Sequence, residues 1–328
     1  MTFSVYYNFF APSNELENES GDIYSLHVPE LLKTNMLFSV IVPVYNAEKT
    51  LPDLLASLMS QNYGKPFEVI IIDDCSTDQS VKIAQNNDVL LIESAKNSGP
   101  AVCRNIGVQK AQGNILVFTD SDCRVAPDWL ANIDKHMRTD YTDAVMGRLI
   151  LPASTYLGDC ISALGFPAGG SIGFDKIWRV DENGYTDSLS TCNCAIRKDI
   201  FEQAGGFDET FPYPGGEDTL LAYAIRQQNN RIKYCPDVIV HHAPRTKFKD
   251  FVRWQFRRGV SSYLFARKIT GKSDFIKLRL WSIKNIISAY KTDPKIPLIL
   301  FLILSGYFSQ VLGYVVTKMS PPVSNHNR

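Results

Sequence analysis

The sequence predicts an α/β protein with a mainly parallel, doubly wound sheet and membrane-associated helices near its C-terminal end. In the first half of the chain, short apolar runs typical of buried strands alternate with segments of helical spacing. This alternation is typical of a parallel sheet that helices cover on both faces. Further on, residues 296–316 carry no charge and are long enough to cross a bilayer as a helix.

The predicted elements follow one another in a regular order. Strands are predicted at 38–44, 67–73, 89–93, 115–118, 144–151, 191–197 and 231–240, and helices at 48–62, 100–111, 198–204, 217–228 and 248–268. Residues 152–190 show no clear period, so we expect an irregular segment there. Because parallel strands end at one edge of a sheet, we expect the polar residues that follow them to gather at that edge.

Bulk composition narrows the class of function. The 328 residues include 34 Lys and Arg and 34 Asp and Glu, so the formal net charge is zero and nucleic acid is not expected as a partner. The seven cysteines are scattered and include no Cys-x-x-Cys pair. This pattern favours reduced cytosolic thiols over a disulfide framework or a zinc site.

The most informative stretch is 114–123, in which an apolar strand ends in Asp120 and Asp122. Two carboxylates one residue apart at the carboxyl edge of a sheet suit a hard divalent cation that also holds a diphosphate. The alternative is structural, with either aspartate capping a helix that begins near 127–130. Other motifs in the chain favour the cation.

Six motifs, in order, resemble those of the family 2 glycosyltransferases, which have the GT-A fold. The resemblance covers the chain from Phe38 to about Gly259. The motifs are Val-Ile-Val-Pro-Val-Tyr-Asn at 40–46, Ile-Ile-Asp-Asp-Cys-Ser-Thr-Asp at 71–78, Gly-Pro-Ala-Val-Cys-Arg-Asn at 99–105, Asp-Ser-Asp at 120–122, Gly-Gly-Phe-Asp-Glu at 205–209 and Gly-Glu-Asp at 216–218. Each motif alone is weak, but together and in this order they form a strong signal.

The resemblance implies a site for a nucleotide-diphospho-sugar. Pro43 and Tyr45 would line the pocket for the base, with Tyr45 stacking on it. Asp74 would accept a hydrogen bond from a ring N–H of the base, which favours a UDP-sugar, although guanine carries such a group too. Arg104 would reach the base or the first phosphate.

The resemblance also implies a divalent metal, Mg²⁺ or Mn²⁺. Asp122 would bind the metal directly, and Asp120 would bind the ribose or a metal-bound water. His241 is expected to be a further metal ligand or a diphosphate contact. The adjacent His242 leaves open which of the two histidines points into the site.

Asp218 is the expected general base, with its neighbour Glu217 as the second candidate. The base would take the proton from an acceptor hydroxyl as that oxygen attacks the anomeric carbon from the face opposite the leaving group, which gives inversion. The alternative is that both carboxylates serve only the dipole at the start of a helix.

Gln255 and Arg258 resemble the Gln-x-x-Arg motif of the processive members, where it contacts the diphosphate and the acceptor. Gly259 stands where those members have tryptophan, and a single apolar segment follows instead of several. We therefore expect transfer of one sugar rather than polymerisation.

Three segments are expected along the chain. Residues 1–36 are predicted to be a disordered or mis-assigned extension, with Met36 as an alternative start. Residues 37–270 would form the GT-A domain, with a nucleotide-binding half at 37–123 and an acceptor half at 124–270. Residues 271–328 would supply a basic interfacial helix at 275–290 and the membrane segment 296–316.

The sequence thus predicts a metal-dependent, inverting glycosyltransferase at the cytosolic membrane face. Its acceptor is expected to be a glycan or a lipid-linked molecule, in the manner of enzymes of cell-envelope polysaccharides. One alternative is a catalytically inactive, membrane-anchored protein that binds a nucleotide sugar. A second is a sugar-1-phosphate nucleotidyltransferase, although that class needs a glycine-rich basic loop after the first strand, and Val44 is followed instead by Tyr-Asn-Ala-Glu.

Overall fold

The computed structural model describes residues 37–139, 142–269 and 272–320; the predicted extension at 1–36 lies outside them. Within these residues nine strands form one sheet. The strands are β1 (Phe38–Val44), β2 (Phe67–Asp73), β3 (Leu90–Glu93), β4 (Ile115–Phe118), β5 (Cys123–Val125), β6 (Ala144–Ile150), β7 (Tyr185–Thr186), β8 (Cys194–Arg197) and β9 (Ile232–His242).

The helices follow the strands in the alternating order that the sequence predicts. They are α1 (Leu51–Met59), α2 (Ser80–Gln85), α3 (Pro100–Lys110), α4 (Trp129–Thr139), α5 (Tyr156–Ser162), α6 (Phe174–Ile177), α7 (Lys198–Gln203), α8 (Glu217–Gln227), α9 (Phe248–Lys268), α10 (Lys272–Tyr290) and α11 (Ile296–Met319). On α1 the side chains of Leu51, Leu54 and Leu58 are fully buried. Their helical spacing is what directs this face of α1 to the core.

The sheet is parallel in its first half and mixed in its second. Its order is β3-β2-β1-β4-β8-β6-β9-β5, with β7 also on β9. The pairs among β1, β2, β3 and β4 are parallel, as predicted. β8, however, lies between β4 and β6 and runs antiparallel to both. The C-terminal ends of the parallel strands therefore share one edge, where polar loops gather.

The irregular segment 152–190 contains more structure than its sequence pattern indicates. Two short helices, α5 and α6, and the two-residue strand β7 lie within it. The hydroxyl of Thr155 begins α5 by accepting a hydrogen bond from the Gly158 amide at 3.0 Å. Farther along, the ring of Phe174 stacks on that of Tyr234 in β9, with centroids 4.8 Å apart. These contacts fix the segment as a wall beside the carboxyl edge of the sheet.

Helix α11 is, among the described residues, the one helix long and apolar enough to cross a bilayer. One face of it packs against α9, and the opposite face exposes large apolar side chains such as Leu304 and Phe308, which are 70% and 71% exposed. The packed face approaches α9 closely: a Cβ placed on Gly259 would lie 2.1 Å from the carbonyl oxygen of Gln310. A Cβ on Gly313 would likewise lie 2.1 Å from the carbonyl oxygen of Phe256.

Replacement of Gly259 by alanine should destabilise the protein. The added methyl group cannot be accommodated without separating α9 from α11, a cost of about 1–3 kcal/mol for overpacking. Denaturant unfolding of the full chain in detergent measures this. Gly64→Ala is the matched control, because a Cβ there meets nothing within 4 Å. Equal unfolding midpoints for the two variants would show that α11 does not rest on α9.

Candidate active site

A cleft at the carboxyl edge of the sheet brings together residues from distant parts of the sequence. It encloses a cavity of about 130 Å³. Its charged lining comprises Arg104, Asp120, Glu217, Asp218, His242, Arg245, Arg258 and Arg279. The irregular segment supplies part of the remaining wall, including Phe166, Trp178 and Ser190.

Arg104 is a deeply buried charge in this cleft, with a side chain only 2% exposed. Its guanidinium donates to Asp120 Oδ1 at 2.7 Å and to Glu217 Oε1 at 3.1 Å. Burial acts to lower the pKa of Arg104, but the two carboxylates outweigh burial and raise it. The side chain therefore stays charged and ties Asp120 of the strand edge to the start of α8.

Glu217 and Asp218 are adjacent but lie in different environments. Glu217 is 1% exposed, and its oxygens bond to Arg104 and to the Gly215 amide at 2.7 Å. Burial, and then the nearby charge of Asp218, raise the pKa of Glu217 to about 7 against the opposing effect of Arg104. Asp218 is half-buried and is held through one oxygen, Oδ1, by the amides of Thr219 at 2.7 Å and Gly216 at 3.2 Å. Asp218 is thus the more accessible of the two carboxylates.

Asp122 and His242 meet because β5 pairs antiparallel with β9, which places Cys123 opposite His242. His242 Nε2 lies 3.3 Å from Asp122 Oδ1. Its other ring nitrogen, Nδ1, lies 2.8 Å from the Ala243 carbonyl oxygen, which can only accept, so Nδ1 carries the proton. In the neutral ring, Nε2 then presents its lone pair toward Asp122, which is the tautomer a metal ligand needs.

These two side chains fit a hard or borderline divalent cation. Ligand atoms of Asp122, Cys123 and His242 lie within 4.8 Å of one another. The Cys123 thiol is buried and directed toward the Cys192 carbonyl, 3.9 Å away, so we do not count it among the metal ligands. A carboxylate oxygen and an imidazole nitrogen suit Mn²⁺ or Mg²⁺ better than a thiolate-rich zinc site.

The structure does not bring His241 to Asp122 in the same way. His241 lies opposite Arg124 in the β5–β9 register and lines a neighbouring cavity of about 340 Å³, which Asp122 also borders. Burial and Arg124 both lower the pKa of His241. The structural alternative for Asp120 and Asp122 is not observed, because β5 follows them directly and α4 begins only at Trp129.

The predicted nucleotide-base residues Pro43, Tyr45 and Asp74 lie together at the ends of β1 and β2. Tyr45 is 53% exposed, so its ring is available for stacking. Asp74 is buried, and its two oxygens accept from the amides of Ser98 at 2.7 Å and Gly99 at 2.9 Å. Asp74 thereby orders the loop that precedes α3, and its role toward a base stays a prediction. Pro43 is half-buried, one residue before the last residue of β1.

One further carboxylate in this region was not singled out by sequence. Asp73 Oδ2 accepts from the Ser76 amide at 2.9 Å. Its other oxygen, Oδ1, is buried and has no hydrogen-bond partner among the described residues. Only the three-dimensional arrangement shows that this oxygen is left over.

The Gln-x-x-Arg motif is divided between two places. Arg258 lines the cleft, with its guanidinium 4.0 Å from the centroid of the Phe166 ring. The structure does not bring Gln255 to the cleft: it is 3% exposed and accepts a hydrogen bond from Gln310 of α11 at 2.6 Å. Because α11 occupies that face of α9, the predicted diphosphate contact of Gln255 is replaced by a helix–helix contact. Arg245 and Arg279 also line the cleft, although the sequence assigns the helix that carries Arg279 only to a membrane surface.

Comparison with curated proteins finds several glycosyltransferases. The chain is 41% identical over 112 residues to the poly(ribitol-phosphate) beta-N-acetylglucosaminyltransferase TarS of Staphylococcus aureus, a match that covers 31% of this chain and only 19% of that protein. It is 27% identical over 237 residues to the glycosyltransferase AglE of Haloferax volcanii, covering 67% of this chain and 71% of AglE. It is also 27% identical over 235 residues to the chondroitin synthase of Escherichia coli, covering 62% and 34%.

Solved structures support the same fold. The mannosyltransferase PcManGT from Pyrobaculum calidifontis, in complex with GDP-Man and Mn²⁺, aligns with a TM-score of 0.57 at 19% identity over 88% of both chains. Residues 1–349 of S. aureus TarS in complex with UDP align with a TM-score of 0.50 at 20% identity, covering 87% of this chain and 92% of that one. The predicted GT-A fold is therefore confirmed.

Residues 39–203, half of the chain, match the glycosyl transferase family 2. The chain therefore belongs to this family.

Proposed function

We propose that the chain is a metal-dependent, inverting glycosyltransferase that moves one sugar from a nucleotide-diphospho-sugar to an acceptor hydroxyl. The observation that carries this proposal is the convergence of Asp120, His242 and Asp218 on one cleft. Such a reaction needs a metal site for the leaving nucleoside diphosphate and a carboxylate base for the acceptor hydroxyl. We favour a UDP-sugar as donor and a glycan or lipid-linked molecule as acceptor.

The metal would be held by Asp122 and His242. When bound, the cation neutralises the charge that builds on the departing nucleoside diphosphate. Asp120 would contact the ribose or a water of the metal, and Arg104 fixes the position of that carboxylate through its 2.7 Å ion pair. Arg245 and Arg258 add positive charge to the same cleft, which suits a diphosphate.

Asp218 would act as the general base. It would remove the proton from the acceptor hydroxyl as the oxygen attacks the anomeric carbon. The backbone amides that hold Oδ1 orient the carboxylate at the start of α8. Glu217 would act as a positioning residue, since its carboxylate is committed to Arg104.

The relatives support the choice of substrates. Solved relatives hold GDP-Man with Mn²⁺ or UDP-GlcNAc, and curated relatives act on poly(ribitol-phosphate) or make chondroitin. By analogy we infer a role in cell-envelope polysaccharide. We further infer that α11 and α10 hold residues 37–270 at the cytosolic membrane face, since basic residues precede the apolar helix.

A donor panel tests the proposal. UDP-, GDP- and dTDP-sugars are incubated with the full chain in detergent and Mn²⁺ or Mg²⁺, and release of nucleoside diphosphate is followed. We expect release from one class of donor, loss of release with a chelator, and loss in Asp122→Ala. Binding of a donor without release or transfer would favour the inactive binding protein. Pyrophosphate release from a nucleoside triphosphate and a sugar-1-phosphate would favour the nucleotidyltransferase.

A further inference from the structure

A cavity of about 450 Å³, separate from the one that His241 lines, lies among α9, α10 and α11 and has no part in the chemistry described above; we call it the second cavity. Its lining is mostly apolar and includes Leu164, Leu280, Ile283, Ile286, Leu302 and Ile303. Such a lining suits a hydrocarbon rather than a sugar or a nucleotide, because burying polar groups without hydrogen-bond partners costs free energy.

The second cavity adjoins the catalytic cleft. Phe166, Ser262 and Arg279 border both spaces. A ligand with an apolar part and a polar part can therefore occupy the two cavities at once, with its polar part at this junction.

The junction carries positive charge. The guanidinium groups of Arg258 and Arg279 lie 4.0 Å and 5.2 Å from the centroid of the Phe166 ring. Burial lowers the pKa of Arg279 to about 10. Burial, and then the charge of Arg279, lower the pKa of Arg258 to about 9 against the opposing effect of Asp218 and Glu217. Two guanidinium groups beside one ring suit a phosphate, because each can donate charge-assisted hydrogen bonds to it.

The other end of the second cavity opens beside the apolar face of α11. Leu280 and Tyr307 line the cavity and are 64% and 68% exposed. Exposed apolar side chains next to a helix of membrane-spanning length place this opening where a bilayer would lie. A hydrocarbon chain can enter from that side.

We propose that this cavity binds the hydrocarbon chain of a lipid acceptor whose phosphate lies at the junction, against Arg279 and Arg258. The inference rests on the proposed function and narrows its acceptor to an anionic lipid. The apolar lining, the shared residues and the charge at the junction each favour this ligand over an uncharged glycan.

Alkyl phosphates test the inference with the full chain in amphipol. Hexyl, octyl, decyl and dodecyl phosphate are titrated below their micelle concentrations, beside alkyl maltosides of the same lengths. Affinity for the phosphates should rise about fourfold for each buried CH₂ and exceed that for the maltosides. Arg279→Gln should weaken binding about tenfold or more, because it removes a charged hydrogen-bond donor.

Two variants on α10 test the apolar wall of the cavity. Ile283→Trp, which fills the cavity, should abolish the dependence on chain length. Ile287→Trp, one turn further along α10 and not part of the lining, is the matched control and should bind as wild type does. A dodecyl phosphate that carries a terminal diazirine tests the cavity in the wild-type protein. On illumination it should cross-link to residues 280–286 and 302–307. Cross-links confined to other segments would overturn the inference.

Donor binding is measured in the same samples of wild type. If a nucleotide sugar binds but the alkyl phosphates show no preference over maltosides or no dependence on chain length, this inference fails and the proposed function stands. If no nucleotide sugar binds, the proposed function fails, and with it the assignment of the lipid as an acceptor.

Discussion

Replacement of Asp218 by asparagine should lower the rate of sugar transfer by about 10²–10⁴-fold, the usual contribution of a general base. Asparagine keeps the shape of the side chain and can still accept hydrogen bonds from the Thr219 and Gly216 amides, so the start of α8 should be preserved. It cannot take up the proton of the acceptor hydroxyl. Donor binding should change by less than about twofold, because the loss falls on the transition state rather than on the donor complex.

Single-turnover transfer and donor titration, performed on the same preparation, measure these two effects. Glu217→Gln is the informative comparison: its main effect should be on stability, since it weakens the ion pair with Arg104. If Glu217→Gln folds normally and loses transfer while Asp218→Asn retains it, the roles that we assign to the two carboxylates are reversed.

Replacement of Arg104 by leucine should lower the free energy of unfolding by about 3–5 kcal/mol, the typical cost of leaving a buried charge without its partner. Arg104 is 2% exposed and joins Asp120 to Glu217. Without it, the fully buried Glu217 must either remain charged without a counterion or take up a proton. Asp120, which is 29% exposed, can turn to water and should contribute less.

A double-mutant cycle separates this effect from the loss of packing. Arg104→Leu combined with Glu217→Leu removes both charges and should recover a large part of the lost stability, because apolar pairs often replace buried ion pairs well. Denaturant unfolding provides the free energies, with the same dependence on denaturant concentration required of wild type and variants. If the two single losses simply add in the double variant, the pair is not coupled in the way its geometry indicates.

Much of the fold could be predicted because its local patterns are strong. The long apolar runs of β1, β2 and β4 specify buried strands, and the predicted bounds of α9, 248–268, agree with the structure. The antiparallel insertion of β8 between β4 and β6 could not be foreseen, because the partner of a strand is set by distant packing and not by its own pattern. The GT-A assignment and family membership, which depend on ordered motifs, are confirmed.

The site was predictable to the level of motifs but not of individual side chains. Successive residues of a strand point to opposite faces, so the choice between His241 and His242 depends on how β9 pairs with β5. Gln255 lies away from the cleft because α11 covers it, a contact between residues 55 positions apart in sequence. Arg279, on a helix that the sequence assigns only to a membrane surface, lines the cleft for the same reason: tertiary packing decides which face is used.

The most direct measurement of the metal site is a calorimetric titration of the donor nucleotide in the presence of Mn²⁺ and in the presence of a chelator. It is performed on wild type, His242→Ala and His241→Ala. We expect binding of the nucleotide to require Mn²⁺, and His242→Ala to weaken it about tenfold or more while His241→Ala has a much smaller effect. Equal affinity with and without metal, or a larger loss in His241→Ala than in His242→Ala, would contradict the assignment of Asp122 and His242 as the groups that hold the metal.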